Sequence, residues 1–209
     1  MSKGTTSGSF YTNSELGFRY QLPKGWAVND KETTLAHEFA WADNPGSRTQ
    51  SSQSQCSKNL LFVTKHPEGM KLNSFDPMAL MIAVDPECFP EITLPKSATE
   101  RDLVQKAAAQ VLRHLDTPGS VVRAQARVRA FDNAGRVMLE ISRPLSMTTR
   151  EVSLGSLTTI RNVNRSVLLL PAGGYWAVWI FVSGDDVDMD TLKTTKIFFD
   201  AAGESSATK

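Results

Sequence analysis

Four segments of this chain are apolar almost without interruption: 60–63 (Leu-Leu-Phe-Val), 78–84 (Met-Ala-Leu-Met-Ile-Ala-Val), 167–170 (Val-Leu-Leu-Leu) and 176–182 (Trp-Ala-Val-Trp-Ile-Phe-Val). A strand with one wet face alternates apolar and polar residues, and these do not, so they read as strands shielded on both faces by further layers. All four are far too short to cross a bilayer as helices, and no membrane-spanning segment is expected. Between the second and third runs lies the clearest helix. Ser97 and Glu100 form a capping-box pair, Leu103, Ala107, Val111 and Leu115 share one face, and Thr117-Pro118-Gly119 stops it. The fold class expected is α+β: an α-β-α sandwich whose mostly antiparallel central sheet of about six or more strands carries helices on both faces.

The remaining punctuation fills in the order. Phe10-Tyr11 and Phe18–Leu22 read as a hairpin that Pro23-Lys24-Gly25 closes off, and Asn29 with Glu32 caps a helix bearing Leu35, Ala36, Phe39 and Ala40. Residues 44–57 are a polar, Ser/Gln-rich loop. Val122, Ala124, Ala126, Val128 and Ala130 alternate as one long strand, which turns at residues 132–135 and returns through Val137, Leu139 and Ile141. Pro171-Ala172-Gly173-Gly174 makes a second hairpin turn, and Ser183 and Asp186 cap a last helix carrying Met189, Leu192 and Lys196. Residues 10–200 are read as a single domain, 1–9 as a flexible leader and 201–209 as a frayed tail.

The stretch Gly17-Phe18-Arg19-Tyr20-Gln21-Leu22-Pro23-Lys24-Gly25-Trp26, the later Gly173-Gly174-Tyr175-Trp176 ahead of an apolar strand, and the closing acidic helix resemble the PsbP-like family. That family includes the extrinsic photosystem II subunit and many bacterial exported proteins. The resemblance implies an α-β-α sandwich and no particular activity. It carries over no functional residue.

Charge narrows the partners. The 209-residue chain has a formal net charge of +1, which gives no overall pull toward nucleic acid or an anionic membrane. Locally the picture differs, because residues 121–170 hold eight arginines, no lysine and only Asp132, Glu140 and Glu151. Arg123, Arg127 and Arg129 fall on the side of their strand opposite Val122, Ala124, Ala126 and Val128, and arginine suits bidentate contact with carboxylate or phosphate. These three mark a surface for an anionic partner; the competing role is a solvated strand face with local ion pairs.

Cys56 and Cys88 flank the same pair of apolar runs and are a candidate disulfide, the alternative being two unrelated thiols; a bond would favour a periplasmic or otherwise exported protein over a cytoplasmic one. The small, polar start, Met1–Ser9, has no apolar segment of its own to act as a leader, which fits either a cytoplasmic chain or an exported one already trimmed. No Walker loop, Gly-x-Ser-x-Gly or Gly-x-Gly-x-x-Gly motif occurs, and His37, His66 and His114 stand in no metal-binding spacing. Asp185, Asp186, Asp188 and Asp190 lack the glycine and glutamate of a calcium loop and suit a helix start. Trp26, Trp41, Trp176 and Trp179 read as core rather than pocket. No catalytic, cofactor-binding or metal residue is assigned. The function expected is a non-catalytic protein-interaction or structural module of the bacterial cell envelope; the alternative is a small-molecule or lipid binder with its pocket between sheet and helices.

Overall fold

A computed structural model describes residues 2–29, 56–65, 76–95, 97, 99–115, 121–122, 126–133, 136–151, 157–193 and 196–199. Among them are twelve strands and two α-helices. Strands β1 (Thr5–Ser7), β2 (Phe10–Asn13), β3 (Phe18–Gln21) and β12 (Ile197–Phe199) form a small antiparallel sheet in the order β1-β2-β3-β12. The large sheet runs β4 (Ala27–Val28), β5 (Ser57–Thr64), β6 (Met78–Val84), β11 (Tyr175–Ser183), β10 (Leu157–Ala172), β9 (Arg136–Glu151) and β7 (Val121–Val122), with β8 (Arg127–Asn133) beside β7 on the outer edge of β9. The helices are α1 (Arg101–Leu115) and α2 (Asp186–Lys193).

The apolar runs are the inner strands of the large sheet, and their alternate residues serve two separate cores. Met78, Leu80, Ile82 and Val84 of β6, with Val178 and Ile180 of β11, meet Val104, Ala107, Ala108 and Val111 of α1. Ala79, Met81 and Ala83, with Ala177, Trp179 and Phe181, point the other way, onto Tyr11, Phe18 and Tyr20 of the small sheet. Trp179 is fully buried there, its ring centroid 5.0 Å from that of Phe18. The indole Nε1–H finds no acceptor among the described residues.

This arrangement corrects the expected α+β class and its α-β-α layering. The molecule is mostly β, and the second face of the large sheet is covered by a four-stranded sheet, to which α2 adds only Met189 and Leu192. The physical reason is that an apolar strand face specifies only an apolar cover. The alternating Tyr11, Phe18 and Tyr20 of two short strands meet that need as well as a helix would. The expected helix at residues 29–40, Trp41 and most of the polar loop lie outside the described residues.

Smaller differences have local causes. Residues 5–7, expected to be a flexible leader, pair with β2, and the Tyr11 hydroxyl donates to the Lys3 carbonyl at 2.7 Å. Ser97 accepts from the Thr99 N–H, and α1 begins later, with the Val104 N–H on the Glu100 carbonyl. Asp185, not Ser183, caps α2, receiving the N–H groups of Val187 and Asp188. The chain after α2 becomes β12, which pairs with β3.

Two fixtures secure neighbouring strands of the large sheet. Cys56, just before β5, is disulfide-bonded to Cys88 in the short turn after β6, as the sequence leads one to expect and as is compatible with an exported protein. The β10–β11 hairpin turns through two glycines only, Gly173 at φ 57° and Gly174 at φ 81°, the left-handed pair that a tight primed turn requires. A methyl group at Gly173 would collide with the Glu15 carbonyl in the β2–β3 turn, so this hairpin also touches the small sheet, whereas Gly174 faces open space. The β9–β10 hairpin is longer than its support. From Leu157↔Glu151 to Arg161↔Met147 its two strands pair with each other beyond the reach of β11 and β7.

Gly173→Ala should destabilise the protein by about 2–4 kcal/mol and Gly174→Ala by about 1–2 kcal/mol, since only the first adds a backbone collision to left-handed strain. Equilibrium denaturation of both variants measures this, and equal losses would deny the close approach. Cys56→Ser/Cys88→Ser should lose about 3–4 kcal/mol for the loop it opens. Alkylation followed by intact-mass measurement, with and without reductant, should show both thiols blocked until reduced.

Candidate functional site

The small sheet has four strands against the eight of the large sheet, and beside its edge strand β12 the described residues outline a groove. Along β8, Ala126, Val128 and Ala130 pack toward α1, so Arg127, Arg129 and Phe131 must project from the opposite face. There they border a groove of about 900 Å³. Its apolar floor is Phe131, Met138, Leu168 and Phe181; its far wall is Lys193 at the end of α2, then Lys196, Ile197 and Phe198. The sequence places Arg127 and Arg129 on one face, and the structure brings both to this groove. Arg123 lies outside the described residues.

A polar strip crosses the floor. Glu140 on β9 accepts from Arg129 Nη2 at 2.7 Å and from Lys193 Nζ at 3.1 Å, tying the outer strand to α2. Ser142 and Ser166 donate to Glu140 Oε1 at 3.3 and 3.4 Å, and their hydroxyls lie 3.1 Å apart. The carboxylate is only 16% exposed, whereas Arg129 is 68% exposed and lies over the Phe131 ring. Burial is the largest single influence on the Glu140 carboxyl and raises its pKa. The hydrogen bonds and charges of Lys193 and Arg129 together outweigh it and hold the group below its ordinary value of 4.5.

Glu140 thus neutralises only part of the site. Four cations and one carboxylate leave a net +3 along the groove, and Arg127 and Lys196 have no carboxylate partner among the described residues. A carboxylate held below its usual pKa is a weak base. Exposed guanidinium and ammonium groups over an apolar floor suit an anion with an apolar portion.

The other candidates separate. Trp26, Trp176 and Trp179 are core residues, and Trp41 is not among the described residues. His37, His66 and the His114 side chain also fall outside them. The acidic cluster at α2 is engaged in capping through Asp185 and in an ion pair of Asp188 with Lys65 at 2.9 Å. Among the described residues no group of three or more His, Cys, Asp or Glu could hold a metal ion, and no helix is long and apolar enough to cross a membrane. Sequence reasoning missed Glu140, Lys193 and Lys196. The one available signal was Ile197-Phe198-Phe199, three strand-forming residues directly after a short helix, which could have placed a strand edge near the arginines.

No protein-family model matches the chain, and comparison with curated proteins finds no match. The likeness to PsbP-like proteins therefore rests on the sequence stretches that carry it.

Because its folded pKa is depressed, Glu140 contributes stability that is present above its ordinary value and lost as pH falls through the depressed one. Glu140→Gln should lower stability at neutral pH by about 1 kcal/mol, a modest figure because Arg129 is largely solvated. Denaturation curves between about pH 3 and 7 should show the variant's deficit vanishing at the acid end. A deficit independent of pH would contradict the assignment.

Proposed function

We propose that this protein is a non-catalytic protein-interaction module of the bacterial cell envelope and that it receives an anionic region of its partner in the groove between its two sheets. The observation that carries this reading is that Arg127 and Lys196 have no carboxylate partner among the described residues and stand beside an apolar floor. The Cys56–Cys88 disulfide supports the envelope setting. A second reading is favoured by one specific feature: a groove of about 900 Å³ is within the range of small-molecule sites, so an amphipathic carboxylate could occupy it. Its position is between two sheets rather than between sheet and helices.

Affinity capture from envelope extracts with wild-type protein and with Arg127→Gln/Arg129→Gln in parallel tests the first reading. Both arginines are exposed, so the variant should keep its fold and circular dichroism. A partner retained by wild type should elute with rising salt and fall at least about tenfold in the variant. Equal retention by both proteins would remove the groove from consideration.

A further inference from the structure

We propose that the occupant of the groove is an acidic, extended segment of a partner protein that adds as a strand to the open edge of β8; this rests on the interaction reading above and specifies its geometry. β8 pairs with β9 on one side, and no described strand pairs with its other side. Two residues separate Asn133 from Arg136, which makes these the hydrogen-bonded closing pair of the β8–β9 hairpin. Counting back by twos, Phe131, Arg129 and Arg127 direct their backbone groups to β9, and Val128 and Ala130 direct theirs to the open edge. A strand added there gains main-chain hydrogen bonds from those two residues. Its alternate side chains fall on the groove face roughly 5 Å from Arg127, Arg129 and Phe131, so two acidic residues and an apolar one, each separated by one position, match what they meet.

Charge also decides against a second copy of this chain. Two β8 edges paired antiparallel about Arg129 would set arginine against arginine, which is destabilising, whereas an acidic strand meets complementary charge on every groove-facing position but the last. The edge residues Val128 and Ala130 are small and apolar, and β8 contains no proline to block the edge.

Fluorescence anisotropy with defined peptides tests this. The probes are an end-blocked nine-residue peptide alternating glutamate with valine, its glutamine counterpart, and two versions N-methylated on alternate amides, one for each edge of the strand. Decanoate runs in parallel as an amphipathic carboxylate. The parent peptide should bind saturably. Binding should weaken at least tenfold for the glutamine peptide, for Arg127→Gln/Arg129→Gln, and for one N-methylated version while the other is retained. If both methylated versions bind like the parent, or both fail alike, strand addition is overturned while capture of acidic segments stands. If the glutamine peptide or the arginine variant binds as well as the parent pair, or no peptide binds, the interaction reading falls with it. Binding of decanoate alone would make this a small-molecule site.

Discussion

The central strands of the large sheet have no side that tolerates water, and the rest of the molecule is arranged around that constraint. β6 and β11 each divide their residues between two cores, so removing either cover would expose a continuous apolar surface. At about 25 cal/mol per Å² of apolar surface, this double burial is the dominant favourable contribution to the fold. α1 supplies one cover with small residues, Ala107 and Ala108, that let the helix lie close. The small sheet supplies the other with large aromatic residues. Trp179 reaches toward it to meet Phe18 and leaves its indole N–H without an acceptor among the described residues.

The groove lies beside the edge strand of the small sheet. Beside the three-residue edge strand β12, the partly exposed Phe131 sits with charged residues over the buried Met138, Leu168 and Phe181. Glu140 steadies this exposed corner. It holds Arg129 and Lys193 from two different layers, and Ser142 and Ser166 support its oxygen from the floor. This corner is therefore fixed by internal pairing, while Arg127 and Lys196 have no carboxylate partner among the described residues.

How much of this the sequence discloses follows from the range of each signal. The four apolar runs reveal the inner strands, because absence of alternation is a property of each segment alone. The nature of the cover is not local: Tyr11, Phe18 and Tyr20 read equally well as a hairpin anywhere on the surface until their contact with Trp179 is known. Period-two placement of Arg127 and Arg129 is legible for the same reason that the runs are. Lys193, Lys196 and Phe198 lie some sixty residues later and join the arginines only through the path of the sheet. The cysteines are an intermediate case, since strands that pair as neighbours bring their flanks together, and β5 and β6 do.

The β9–β10 hairpin, clamped at its base between β11 on one side and β8 and β7 on the other, continues for five further residue pairs with no third strand beside it among the described residues. A lone two-stranded ribbon twists more and resists separation less than the same ladder inside a sheet. One hairpin therefore spans two mechanical regimes, a stiff root that moves with the core and an outer arm whose amides open to solvent exchange long before the molecule unfolds.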